Sequence, residues 1–109
     1  MTLQDLLLQQ FKVRTRQNIN PEVSTLTGGV DKVLGNNPNR LAWLILNLGS
    51  NAAYLSFTND PSATKGILLS AAGGTASMVW NEDFETVGYE VYCKGTASDT
   101  LYVIEVVTA

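Results

Sequence analysis

The densest group of chemically active side chains in the sequence is a short acidic run that contains Glu82, Asp83 and Glu85. Carboxylate oxygens are the ligands that calcium prefers, and a pair of carboxylates is the machinery of glycoside hydrolysis. The run lacks the ligand spacing of an EF-hand loop, and the only acids that could join it from a strand are Glu90 and Glu105. We therefore expect a solvated acidic loop, with no catalytic residue and no metal ligand.

Missing residue types exclude further chemistry. The chain of 109 residues has no histidine, the commonest general base and metal ligand. Its one cysteine, Cys93, can form neither an intrachain disulfide nor a cysteine zinc site. Cys93 lies in an alternating run, where a free cysteine usually behaves as a small buried hydrophobe. The sequence predicts an inert packed thiol, no cofactor and no enzymatic activity.

Aromatic side chains offer a different chemistry, because tryptophan and tyrosine rings can stack on sugars. The candidates for such contacts are Trp43, Tyr54, Trp80, Tyr89, Tyr92 and Tyr102. Trp43 and Trp80 fall inside strand-like runs, where packing in the core is the usual role of an aromatic ring. A core role is favoured, and a carbohydrate-binding β-sandwich module remains the alternative function.

Basic residues are concentrated near the start of the chain. Residues 1–40 carry five basic and three acidic side chains, whereas residues 41–109 carry two and seven. The net charge of −3 argues against direct binding of nucleic acid. No long apolar run indicates a membrane span or a signal peptide. We expect Lys12, Arg14 and Arg16 to meet an acidic protein surface or to be simply solvated.

The elements that position these residues differ between the two parts of the chain. Residues 1–36 combine a possible short helix after Thr2, an alternating stretch, and many Asn, Gly and Pro breakers. Such a segment has too little apolar surface to offset roughly 1–2 kcal/mol of backbone entropy per ordered residue. We predict an N-terminal arm over residues 1–36 that another chain orders. Its predicted contacts are Leu3, Leu6, Leu7, Phe11, Lys12, Arg14 and Arg16.

Residues 37–109 have the pattern of an all-β domain. Short apolar runs alternate with turns, and six of them predict strands at 41–48, 52–58, 66–71, 75–80, 87–94 and 100–107. This spacing is typical of an antiparallel β-sandwich of six to eight strands, of the jelly-roll or immunoglobulin-like type. The first and last of these runs are apolar on both faces. Self-association would cover the second face, and so would a leader helix or loop folded over it.

Four motifs of this body resemble those of small β-sandwich structural proteins of tailed bacteriophages. They are the N-P-x-R start at 37–40, the N-x-G-S-N turn at 47–51, the G-I-L-L strand at 66–69, and the final hairpin at 95–106. The resemblance implies a non-enzymatic virion protein, which decorates or cements the capsid or serves as a head or tail accessory. It further implies assembly in the host cytoplasm, contact with the major capsid protein or another virion protein, and a homo-oligomer, with a trimer expected first.

Overall fold

The computed structural model describes Leu3, residues 15–19, residues 24–61, Thr64 and residues 66–108. Within these residues, antiparallel strands form two four-stranded sheets that pack together as a sandwich. The predicted all-β sandwich is confirmed. The strands are β1 (Thr15–Ile19), β2 (Val30–Leu34), β3 (Arg40–Asn47), β4 (Ala53–Ser56), β5 (Ile67–Leu69), β6 (Thr75–Val79), β7 (Val91–Lys94) and β8 (Leu101–Thr108).

The strands of the two sheets are interleaved along the chain. The first sheet has the order β1-β8-β3-β6, and the second sheet has the order β2-β7-β4-β5. The two long strands β3 and β8 lie side by side at the centre of the first sheet. Alternate residues of β3 and β8 therefore face either the core between the sheets or the outer surface of the first sheet.

The core lies between the sheets and follows the two-residue period of the strands. The first sheet contributes Trp43, Ile45 and Val103, and the second contributes Leu55 and Cys93, all at most 3% exposed. Burying an aliphatic side chain of this size contributes about 1.5–3 kcal/mol. The alternation that the sequence shows in 41–48 and 100–107 thus places one face of each strand in this core.

The predicted division of the chain after residue 36 cuts through both sheets. Strand β1 pairs with β8, and β2 pairs with β7. A β-bulge between Lys32 and Leu34 turns both Val33 and Leu34 inward, where neither is exposed to solvent. Of the predicted arm, β1 and β2 therefore pair with strands of the same chain.

The segment between β6 and β7 differs from its predicted form. The predicted acidic loop is a short helix, α1 (Trp80–Asp83), followed by a 3₁₀ turn over Phe84–Gly88. The strand predicted from residue 87 begins only at Val91. The cause is a contact of the turn with the loop before β3, because Asn37 donates a backbone hydrogen bond to the carbonyl of Gly88 at 2.8 Å. A Cβ atom at Gly88 would lie 2.7 Å from the Asn37 carbonyl oxygen, so this close approach requires glycine.

No helix among the described residues is long and apolar enough to cross a membrane.

Candidate functional site

The outward surface of the first sheet is uncharged and is mainly apolar on its two central strands, and we call it the outer face. The strand register sets its members, which alternate with the inward residues of β1, β8, β3 and β6. They are Thr15, Gln17, Ile19, Ala42, Leu44, Leu46, Thr75, Ser77, Val79, Tyr102, Ile104, Val106 and Thr108. None of them is charged, although a solvated sheet face normally carries polar and charged side chains.

The large side chains of the outer face are accessible to solvent. Ile19 is 52% exposed, Val79 39% and Leu44 37%. A depression of about 220 Å³ opens between Leu44, Val79, Ile104 and neighbouring residues of this face. The face spans four strands and five residues, roughly 19 Å by 17 Å, or about 320 Å² in projection. The apolar part of this area is no larger than the largest apolar patches of typical monomers, which are often functional.

A buried ion pair joins the two central strands at one end of the sandwich. Arg40 Nε donates to Glu105 Oε2 at 2.6 Å, and both side chains are at most 5% exposed. A bulge between Arg40 and Ala42 in the pairing of β3 with β8 accompanies the inward position of Arg40. Because Glu105 occupies an inward position of β8, it needs such a partner. In the sequence, the one signal of this pair is that Glu105 occupies an otherwise apolar face of the last strand-like run.

Other polar groups complete the environment of this pair. The Arg40 guanidinium also donates to the Gly35 carbonyl at 2.7 Å and to the carbonyls of Val87 and Tyr89. The second oxygen of Glu105 accepts from Asn18 Nδ2 at 3.1 Å. A polar cavity of about 620 Å³ opens above the pair. These hydrogen bonds satisfy the charged groups of the pair. They also connect it to β1 through Asn18 and to the loop before β3 through Gly35, which is a structural role.

An apolar groove lies beside this pair, and we call it the aromatic groove. It has a volume of about 510 Å³, and its lining includes Leu41, Trp80, Phe84, Glu85 and Tyr89. The rings are accessible, at 43% for Trp80, 76% for Phe84 and 47% for Tyr89. The prediction that Trp80 lies in the core is therefore wrong, because β6 ends at Val79 and Trp80 begins a short helix without buried residues. Trp43, 3% exposed, is in the core as predicted.

The backbone at the tip of the groove is strained. Phe84 has a φ of 56° and a ψ of −140°, a conformation that is essentially restricted to glycine. Phenylalanine in such a position costs on the order of 1–3 kcal/mol. Since the ring is 76% exposed, core packing does not compensate for this cost. Strain of this kind clusters at functional sites, which marks Phe84 as a candidate contact residue.

The acidic residues of this segment do not form a metal centre in the structure. Among the described residues, no group of three or more Asp, Glu, Cys or His side chains is placed to hold a metal ion. Asp83 accepts the backbone N–H of Val79 at 2.9 Å and so holds the start of α1. Glu85 lines the aromatic groove, and Glu82 is exposed on α1. The aromatic groove therefore has one carboxylate in its lining, that of Glu85, while Glu82 and Asp83 lie on the adjoining helix.

Cys93 is a free and completely buried thiol in β7. Burial is the main cause that raises the pKa of its thiol to about 12, and the negative charge of Asp31 adds to this. At neutral pH the group is protonated, and a protonated thiol is a poor nucleophile and metal ligand. On the exposed side of the same strand, a hydrogen bond to Glu90 raises the pKa of Tyr92.

The structure locates only two of the predicted arm residues. Leu3 is 69% exposed. Arg16 belongs to β1, where it is exposed and donates to Asn18 Oδ1 at 2.9 Å. Five predicted contacts lie outside the described residues, namely Leu6, Leu7, Phe11, Lys12 and Arg14. Their role as an anchor stays a prediction.

The fold and these surfaces define an all-β sandwich with an open apolar face.

No protein-family model matches the chain, and no curated protein matches it significantly. One similar solved structure is a dTDP-4-dehydrorhamnose 3,5-epimerase from Bacillus anthracis, with 17% identity and a TM-score of 0.46. The match covers 99% of this chain but only 62% of the epimerase. Another is a protein of Bacillus endospore appendages, described as disulfide-linked pili, with 13% identity, a TM-score of 0.46 and 88% coverage of each chain.

Proposed function

We propose that this protein is a non-enzymatic structural subunit of a tailed-bacteriophage particle. In this role it decorates or cements the capsid, or serves as a head or tail accessory. The phage setting is supported by the motifs of residues 37–109, which resemble those of small virion β-sandwich proteins. The particle and its assembly in the host cytoplasm follow from that resemblance alone.

The single observation that carries a structural role is the outer face. An uncharged apolar sheet surface gains free energy when water is removed from it, at about 25 cal/mol for each Å² buried. We propose that a second copy of this chain covers it, because a face without charge can meet its own copies without bringing like charges together. A protein with a net charge of −3 would otherwise repel its copies. The resemblance implies a trimer, in which three such faces would converge on the symmetry axis.

Sedimentation equilibrium tests the self-association at micromolar concentration. The variant Leu44→Lys places a charge at the centre of the outer face and should lower the average mass towards that of a monomer. Leu68→Lys is the matched control, because Leu68 is a leucine of the second sheet and 56% exposed. It should leave the mass unchanged. A strictly monomeric wild-type protein would contradict the proposal.

The particle itself tests the virion setting. The protein should copurify with capsids or tails through a density gradient, and the variant Leu44→Lys should be depleted from them. Its absence from purified particles would refute the virion role, even if the chain self-associates.

Carbohydrate binding is the second candidate function, and the aromatic groove is the observation that favours it. Exposed rings beside Glu85 are suited to stacking on sugar rings and to hydrogen bonding with hydroxyl groups. Titration with cell-wall polysaccharide tests this candidate. Reproducible binding that the variant Trp80→Ala abolishes would support it, whereas binding that is unaffected by this variant would not.

A further inference from the structure

The outward surface of the second sheet differs in composition from the outer face. Its centre, which we call the tyrosine face, consists of Lys32, Tyr54, Ser56, Leu68, Tyr92 and Lys94, which alternate with buried residues of their strands. Tyr54 and Tyr92 are among the rings that the sequence offers for stacking on sugars, and both are partly accessible to solvent. Neither self-association through the outer face nor the aromatic groove uses this surface.

The strand register arranges the tyrosine face as two lysine–tyrosine pairs. Lys32 of β2 lies directly opposite Tyr92 of β7, and Lys94 of β7 lies directly opposite Tyr54 of β4. Side chains directly opposite each other have Cβ atoms about 4.5–5.5 Å apart, and diagonal neighbours such as Tyr54 and Tyr92 are roughly 7–8 Å apart. Each ring therefore has one cation beside it, and this arrangement occurs twice across three neighbouring strands.

Hydrogen-bonding groups flank the two pairs. The Tyr92 hydroxyl donates to Glu90 Oε2, and Glu90 is only partly buried. Ser56 is the register partner of Tyr92 on β4, and its hydroxyl oxygen lies 2.9 Å from that of Thr58. A carboxylate and hydroxyl groups of this kind can accept and donate hydrogen bonds to the hydroxyl groups of a sugar.

We propose that the tyrosine face binds an acidic polysaccharide, in which successive sugar rings carry carboxylate groups. The sugar rings stack on Tyr54 and Tyr92, and the carboxylates pair with Lys94 and Lys32. The hydroxyl groups of the sugar hydrogen-bond to Glu90 and to the hydroxyls of β4.

Charge complementarity supports this ligand. Lys32 and Lys94 are both exposed, and no described carboxylate forms an ion pair with either of them. They place two positive charges on one surface of a chain whose net charge is −3. A neutral sugar would use the two rings alone, whereas a polymer that repeats a ring with a carboxylate matches both members of each lysine–tyrosine pair.

The same observations favour a polysaccharide over a nucleic acid, which also combines rings with negative charge. Affinity for nucleic acid comes mainly from many contacts between basic side chains and phosphates. The tyrosine face has only two lysines, and the carboxylate of Glu90 beside Tyr92 would repel a phosphate. For a sugar, that carboxylate is a hydrogen-bond acceptor.

Isothermal titration calorimetry with polygalacturonate tests the proposal. The fully methyl-esterified polymer is the matched ligand control, because it has the same sugar rings without their charge. We expect polygalacturonate to bind at least fivefold more tightly than its ester at low salt. This difference should disappear at about 1 M salt, where the screening length falls to about 3 Å.

Four variants locate the binding surface. Lys32→Gln and Lys94→Gln should each weaken binding of polygalacturonate by up to about fivefold, the upper range for an exposed ion pair. Tyr54→Thr should weaken it by a similar factor, which is typical of one aromatic contact. The control Asn39→Asp, exposed on the loop before β3, changes the net charge by the same single unit as each lysine variant and should bind like the wild type. Urea unfolding of each variant verifies that its sandwich is intact.

Five results would overturn the inference. They are no binding of polygalacturonate at low salt, equal affinity for the polymer and its ester, tighter binding of single-stranded oligo(dT), loss of binding in Trp80→Ala but not in Tyr54→Thr, and a lower average mass of Lys94→Gln in sedimentation equilibrium. The third would assign the tyrosine face to nucleic acid, the fourth would place the sugar in the aromatic groove, and the fifth would assign the tyrosine face to contacts between copies. The proposed self-association fails by a different result, namely a strictly monomeric wild-type protein.

Discussion

Replacement of Phe84 by glycine should not destabilise the protein, although it removes an aromatic side chain. The backbone of Phe84 has a φ of 56° and a ψ of −140°, and relief of this strain stabilises the variant by on the order of 1–3 kcal/mol. Glycine loses about 0.5–1 kcal/mol through its larger backbone entropy. Because the ring is 76% exposed, its lost burial costs only about 0.6 kcal/mol. The net expectation is a free energy of unfolding that is unchanged or raised by about 1 kcal/mol.

Comparison of Phe84→Gly with Phe84→Ala isolates the backbone effect, because both variants lack the ring. Alanine keeps the strain, so Phe84→Gly should be the more stable of the two by about 1 kcal/mol, measured by urea unfolding. At an ordinary position the order is reversed, since alanine is favoured over glycine by about 0.5–1 kcal/mol. If Phe84→Ala equals or exceeds Phe84→Gly in stability, the argument that Phe84 is strained is refuted.

Three further predictions concern other parts of the molecule. The variant Glu105→Leu should lower the free energy of unfolding by about 3–5 kcal/mol because it leaves the Arg40 charge buried and unpaired. In a double-mutant cycle measured by urea unfolding, the double variant Glu105→Leu/Arg40→Met should lose less stability than the sum of the losses of the two single variants. Strict additivity would contradict the coupling. Cys93 should resist alkylation at pH 8 in the native state and react fully in denaturant. Its pKa of about 12 lies above the value in the unfolded chain, so the wild type should lose stability relative to Cys93→Ala as pH rises from about 9 to 12, by up to about 1.4 kcal/mol per pH unit; equal pH dependence would argue against the shift. Deletion of residues 1–14 should leave the circular dichroism spectrum and cooperative unfolding intact while it abolishes incorporation into the assembly, and unfolding of the truncated chain would show that these residues belong to the core.

The all-β class could be read from local pattern, because each strand shows its own period of alternation. Residues 41–48 and 100–107 have apolar positions every second residue on both faces, which is enough to predict long strands with two apolar surfaces. The structure has β3 and β8 there, with one surface in the core and the other forming the outer face. The solvent exposure of Leu44 agrees with that prediction. Turn residues similarly separated the strands with errors of only a few residues in most cases.

The position of the functional candidates depended on tertiary contacts that no local pattern contains. Arg40 and Glu105 are 65 positions apart in the chain, and only the register of β3 with β8 brings them together. The bulge in β2 placed Val33 and Leu34 in the core, although their segment has the composition of a loop.

The aromatic groove is the clearest case of a feature that only the tertiary structure decided. Trp80 continues the apolar alternation of β6, so the sequence predicts a core residue. In the structure, the contact of Gly88 with the loop at Asn37 holds residues 84–88 in a turn, and Trp80 begins α1, which has no buried residue. Residue types and spacing determined the strands because alternation is a local property of the chain. The groove depended on which loops meet at one end of the sandwich, and that is settled only when distant segments pack against each other.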